Sequence, residues 1–296
     1  FFVKGNLKNE KNKIDNNLIL LIFNKNLENF DFSSTKFDSI SKFFFDLSKK
    51  LKIQNLKVET KLNLDEIILN NDLYKIKNYI KNYNNFVKLK ENKFFIKYSK
   101  QKILVDGSSE FYINDDFKNL INFQIEKNKN ITKFETSLNL KNLDFAIEDI
   151  SYNKIKKKNA TLQIKGFKNK NKIFFKNINY IENNNEIKIN NLELNNNKII
   201  NIDEVSFNYL TKNNFKNQIT FIKKGNNYEL VGKSFDSIEI IENISNSKTD
   251  KNFFEIFKNL NSKIKITINK VMLDNKSIVN NLNGNLEIKN SKIFDL

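Results

Sequence analysis

The chain has 296 residues, 39% of them hydrophobic, a net charge of +17, and no Pro, His, Cys or Trp. Without imidazole or thiol there is no ordinary zinc, copper or iron site, no thiol nucleophile, no His acid–base chemistry and no disulfide scaffold, and no cofactor is expected. All the positive charge is lysine, since Arg is absent; base readout and phosphate forks rely heavily on Arg, so the lysines read as a solvated surface, no nucleic acid is expected as a partner, and an anionic membrane surface ranks ahead of it.

Length allows one or two domains. No Pro- or Ser-rich linker and no break in composition divides the chain, so one elongated unit over 1–296 is expected. It begins with Phe1 rather than Met, which suggests a segment of something longer. Its longest clean apolar run, Leu18 to Phe23, falls short of the roughly 20 residues that cross a bilayer as a helix. Any anchor is therefore expected outside the segment. The six glycines are isolated, so no phosphate loop or dinucleotide fingerprint is present.

In chain order, Asp38 followed by Ile40, Phe43, Phe44 and Leu47 predicts a first amphipathic helix. Then a recurrent pattern begins: apolar, any, apolar, two polar, apolar, any, apolar. Its copies are Leu51-Ile53-Leu56-Val58, Leu62-Leu64-Ile67-Leu69, Leu138-Leu140-Leu143-Phe145, Ile173-Phe175-Ile178-Tyr180, Ile187-Ile189-Leu192-Leu194, Ile200-Ile202-Val205-Phe207 and Ile266-Ile268-Val271-Leu273. Steps of two are the strand period, and the step of three would flip the second half to the opposite face. A β-bulge at the polar pair restores the face and bends the strand. Chance alone would supply about six or seven copies of the apolar positions, but only about one with all other positions polar. Four such copies occur, beginning at Leu51, Leu138, Ile187 and Ile200.

Asn71-Asp72 ahead of Leu73, Ile76, Ile80 and Tyr83 predicts a second helix. From about Asn92 the chain reads as an antiparallel meander, with turns at 127–130, 168–171, 183–185, 195–197 and 225–227, where Asn or Gly tolerates the left-handed conformation. Two more helices are expected, one after Asp236 (Ile238, Ile241, Ile244) and one after Thr249-Asp250 (Phe253, Phe254, Phe257, Leu260).

The fold class is thus mainly β: an elongated, strongly twisted antiparallel sheet with a few short amphipathic helices. Its apolar face must be covered. Either it closes into a sandwich or barrel, or it curls into an open apolar trough. A transmembrane barrel fits poorly, given the helices and the lysines on the polar face. The carboxylate pairs Asp203-Glu204 and Asp65-Glu66 sit at bulge positions and read as solvated turn polarity, so no enzyme is expected.

Several runs carry a resemblance: Val105-Asp106-Gly107; Ser151-Tyr152-Asn153-Lys154 followed by Ala160-Thr161-Leu162; Tyr228 through Asp236 leading into a helix; and the paired runs Lys263 to Leu273 and Ile278 to Ile288. In their order and spacing, over about 105–286, they resemble the AsmA-like superfamily of Gram-negative envelope proteins, in its YhdP and TamB branch. The resemblance implies a periplasmic β-groove, attached to the inner membrane by an anchor outside the segment, that moves phospholipid toward the outer membrane. No catalytic residues carry over. Exposing two acyl chains of about 30 methylenes would cost on the order of 20 kcal/mol, which a greasy surface avoids. Leu140, Phe145, Phe175, Ile189, Leu194, Ile202, Phe207 and Ile266 are the residues expected to touch phospholipid acyl chains. A structural or adhesive β-sandwich with no ligand is the alternative.

Overall fold

A computed structural model describes residues 1–13, 29–70, 79–80, 83, 86–113, 118–245, 262–289 and 292–295. The chain divides into two units, Phe1–Leu143 and Asp144–Leu296.

The first unit contains β1 (Phe2–Lys13), β2 (Phe30–Asp31), β3 (Lys36–Leu47), β4 (Ile53–Asn70), β5 (Phe86–Ser99), β6 (Lys102–Ile113), β7 (Asn119–Asn128) and β8 (Ile131–Asn139). β1 pairs with β3, β3 with β4, and each later strand with the next, all antiparallel; β2 pairs with the far end of β4. The helix predicted over 38–47 is instead β3. Its Phe37, Ser39, Ser41, Phe43 and Phe45 alternate with polar or outward residues, and it is hydrogen-bonded on both edges. Two complete ladders outweigh one helical stripe, and the Phe43-Phe44-Phe45 run favours a pleated surface. Asp38, expected as a cap, accepts from the Lys11 amide at 2.8 Å.

The second unit begins with a two-stranded pair, β9 (Phe145–Ile147) and β10 (Tyr152–Lys154), joined through a 3-10 turn at Glu148–Ile150. Then come β11 (Ala160–Asn169), β12 (Lys172–Glu182), β13 (Asn185–Asn195), β14 (Lys198–Asn201), β15 (Glu204–Leu210), β16 (Lys216–Lys224), β17 (Asn227–Asp236), helix α1 (Ile238–Ser245), β18 (Ser262–Met272), β19 (Ile278–Lys289) and β20 (Lys292–Asp295). β14 and β15 lie end to end along β13. The meander is not wholly antiparallel: β17 and β18 run parallel, joined by a connection that includes α1. A parallel pair needs such a crossover. The helix expected after Asp236 is α1, capped by the Asp236 carboxylate, which accepts from the Ile238 amide at 3.3 Å. The helices expected over 71–83 and 249–260 lie outside the described residues, apart from Tyr79, Ile80 and Tyr83. Among the described residues no helix is long and apolar enough to cross a membrane.

Each expected turn carries a residue of positive φ: Lys129, Lys170, Asn183, Asn196 with Asn197, and Gly225. The bulges also fall at the polar pairs. Phe44 pairs with Lys57 but Asp46 with Gln54, so β4 carries one extra residue beside Asn55, which has φ +53°. Lys165 pairs with Asn177 but Gly166 with Phe175, which leaves Lys176 extra on β12. Between β12 and β13 the register is kept because both strands are irregular at one level, Lys176 opposite Asn191, and Asn191 has φ +51°.

Three copies depart from expectation; in the first, Leu51 lies in the turn before β4, 74% exposed, and Ile53 is 58% exposed. β8 ends at Asn139, and Leu140–Leu143 is a turn closed by the Leu143 amide on the Leu140 carbonyl at 3.1 Å, so that copy is not one strand. In the copy at Ile200, Glu193 pairs with Asn201 but Leu194 with Ile199. The extra residue is Ile200 itself, 39% exposed, while Ile199 takes the inward place.

Candidate functional site

The bulges hold the apolar side chains on one face, and pairing aligns them into rows that run across the strands. In the second unit one row is Ile164, Ile178, Ile189, Val205, Phe221, Leu230, Ile266 and Gly284, one residue from each of eight neighbouring strands. Eight strands at about 4.8 Å give roughly 34 Å of apolar row. A parallel row runs Leu162, Tyr180, Ile187, Phe207, Ile219, Gly232, Ile268 and Leu282. On the opposite face, at the bulge level, Asn177 donates to Asn190 at 3.0 Å and Asn190 to Glu204 at 3.1 Å. Asn191 donates to Asp203 at 2.9 Å. These side chains satisfy one another where the ladder is irregular.

Six of the eight predicted residues meet on this face. Phe175, Ile189, Leu194, Ile202 and Ile266 share a cluster built on Leu192, Phe221, Tyr228, Ile264 and Ile288. Phe207 and Ile266 share a second cluster with Ile219, Ile268 and Val271. Ile202 is buried; the other five are half-buried. Phe145 lies on β9, with its ring 5.7 Å from that of Tyr180 and 6.1 Å from that of Tyr152. Leu140 is buried in the turn that follows β8, in the first unit, and joins none of these clusters.

The first unit has its own rows: Leu7, Ser41, Thr60, Ile96, Val105, Ile125 and Phe134; and Ser39, Leu62, Phe94, Gly107, Phe123 and Thr136. Leu62, Phe94, Ile96, Val105, Phe123, Ile125 and Phe134 are all half-buried. Among the described residues this unit holds one sheet and no second sheet or helix. A fully buried cluster, Phe32, Leu64 and Ile67, forms where the chain between β2 and β3 turns. At the opposite end of β4, a recess of about 670 Å³ is lined by Phe2, Phe44, Phe45, Asn55, Lys57 and Lys100, among others.

One polar cluster was not singled out from sequence. Tyr152, Lys154, Glu182, Tyr209 and Asn217 are each at most 1% exposed. The Tyr152 and Tyr180 hydroxyls are 2.7 Å apart, Tyr152 also donates to Glu182, and Lys158 reaches the Glu182 carboxylate at 3.5 Å. Tyr209 donates to the Ile150 carbonyl at 2.5 Å and accepts from Asn217 at 2.8 Å. Burial, reinforced at Tyr152 by the hydrogen bond to Glu182, holds the Tyr152 hydroxyl far above the ordinary phenol range, and burial does the same to Tyr180 and Tyr209. Desolvation lowers the Lys154 ammonium. The tyrosines stay protonated and act as donors, so the network clamps the β9–β10 segment to the sheet rather than supplying a base. Its only signal in sequence was Tyr180 and Glu182 two apart on one strand face.

Among the described residues no group of three or more carboxylates is placed to hold a metal ion. No family, curated protein or solved structure matches the chain.

Proposed function

We propose that the chain is a lipid-conducting segment of a periplasmic envelope protein, attached to the inner membrane by an anchor outside these residues. It moves phospholipid between the inner and outer membranes along an apolar β-groove, as its resemblance to AsmA-like proteins implies. One observation carries the reading. The bulges align Leu, Ile, Val and Phe in rows on one face, and in the first unit Leu62, Phe94, Ile96, Val105, Phe123, Ile125 and Phe134 are half-buried under no second layer of described residues. A sheet that only needed a core would bury them. Acyl chains require an apolar row with no charge in it; no charged residue stands in these rows, although Ser39, Ser41, Thr60 and Thr136 interrupt the apolar residues of the first unit.

Photo-crosslinkers at Phe94, Ile189 and Phe207 are expected to capture phospholipid in cells, and those at Lys97, Lys188 and Ser206 to capture little. Equal capture at both sets would remove the conduit reading.

The second reading is a structural β-domain. The observation in its favour is the near-complete burial of Ile268, Val271 and Ile288, each 2% exposed, in the second unit. That part of the face behaves as a sealed core, and absence of lipid at Ile189 and Phe207 with a stable fold would select this reading.

A further inference from the structure

We propose that the turn-bearing end of the first unit is a docking surface for an anionic lipid bilayer. Three turns meet at this end: 48–52 between β3 and β4, 100–101 between β5 and β6, and 129–130 between β7 and β8. The Lys129 amide donates to the Gln101 carbonyl, which holds two of them together. Lys49, Lys50, Lys52, Lys100, Lys127 and Lys129 are all exposed, and none has an acidic partner among the described residues. The carboxylates at this end are already engaged. Asp46 accepts from Asn55 at 2.7 Å, and Glu126 is shared by Lys102 at 3.3 Å and Lys133 at 3.9 Å.

Apolar side chains project among these lysines. Leu51 is 74% exposed, Ile53 58%, Ile131 40% and Tyr98 39%. Leu51 is the most telling, because it sits in a turn with φ +56°. That conformation costs a residue with a Cβ on the order of 1 kcal/mol and suits Asn or Gly. Leu51 therefore contributes nothing to the fold that Asn would not, yet it places a large aliphatic group in water. Exposed aliphatic and aromatic groups inside a ring of unpaired lysines are complementary to a surface that offers phosphates outside and hydrocarbon just beneath. Duplex nucleic acid offers the charge but no place for Leu51 and Ile53. The inference does not depend on lipid being conducted along the sheet.

The experiment is vesicle flotation of the purified chain at about 0.15 M salt. Vesicles of phosphatidylcholine with phosphatidylglycerol are expected to carry the protein, and pure phosphatidylcholine to leave it behind. Changing Lys49, Lys50, Lys52 and Lys100 together to Gln is expected to weaken binding roughly a hundredfold or more. The same change at the exposed Lys157, Lys168, Lys170 and Lys224 is expected to weaken it by much less. Leu51→Asn, which relieves the turn, is expected to keep the fold and weaken binding several-fold. Ile53→Trp would be the sole Trp in the chain; its emission should shift to the blue on phosphatidylglycerol vesicles, whereas that of Ile200→Trp should not. The proposal is overturned if both lysine sets weaken binding equally, if the tip variants bind as the parent does, or if duplex DNA at equal phosphate displaces the protein from vesicles.

Discussion

Ile268 and Val271 lie three residues apart on β18, yet each is 2% exposed and both belong to one apolar cluster. In a regular strand they would point to opposite faces. The irregular level at Asn269, facing the positive-φ Asn281 of β19, turns the second half back. Deleting Asn269 shortens the step from three to two, so plain alternation keeps Ile268, Val271 and Leu273 on one face and leaves Asn281 as a single extra residue on β19. The deletion should cost no more than about 1 kcal/mol, whereas Val271→Asp, which puts a charge at a 2% exposed position, should cost at least about 3 kcal/mol, both read as urea midpoints.

Ile200 and Ile202 separate the sequence pattern from the structure. Ile202→Asp places a charge at a 5% exposed position in the larger cluster and should cost at least about 3 kcal/mol or unfold the protein. Ile200→Asp, at the bulged position, should stay within about 0.5 kcal/mol of the parent. Thermal unfolding followed by circular dichroism checks both.

Two glycines should respond in opposite ways to Ala. A Cβ on Gly232 would lie 2.5 Å from the Gln218 carbonyl oxygen and from a methyl of Ile219, whereas one on Gly284 meets nothing within 4 Å. Gly232→Ala should therefore cost about 1–3 kcal/mol, since the strand at the β16–β17 bulge has to shift. Gly284→Ala should be neutral or stabilise by up to about 1 kcal/mol.

The buried tyrosines set an alkaline limit. Tyr152, Tyr180 and Tyr209 have raised values in the fold, so their contribution is complete below the unfolded phenol value of about 10 and is lost as pH rises beyond it. Each phenol should remove about 1.4 kcal/mol per pH unit in that range. Tyr209→Phe should cost about 1–3 kcal/mol at neutral pH, because the Ile150 carbonyl and the Asn217 amide lose their partner, and should flatten the alkaline slope by one phenol's share. Urea unfolding measured over a series of pH values tests both effects.

Leu51→Asn should raise stability by roughly 0.5–1 kcal/mol, because Asn tolerates the positive φ that Leu51 holds. A differential scanning measurement reads this directly.

Sequence by itself determined the features that depend on neighbours in the chain. Period-two apolar spacing marks the strands from β4 onward, a polar pair marks each recovered face at Leu64/Ile67, Phe175/Ile178, Ile189/Leu192 and Ile268/Val271, and Asn or Gly marks the turns at 183, 196 and 225. Backbone sterics and side-chain alternation act over a few residues, so they can be read locally. Tertiary structure alone decided whatever depends on a partner far along the chain. Asp38–Leu47 became a strand because β1 and β4 both pair with it. β18 joined β17 in parallel because a crossover intervenes. Ile199 displaced Ile200 because Leu194 faces it across the ladder. Leu140 and Phe145, neighbours in one repeat, went to different units because β8 ends at Asn139. Tyr152, Tyr180 and Glu182 became one buried network through contacts across 28 and 30 residues, which no local spacing encodes.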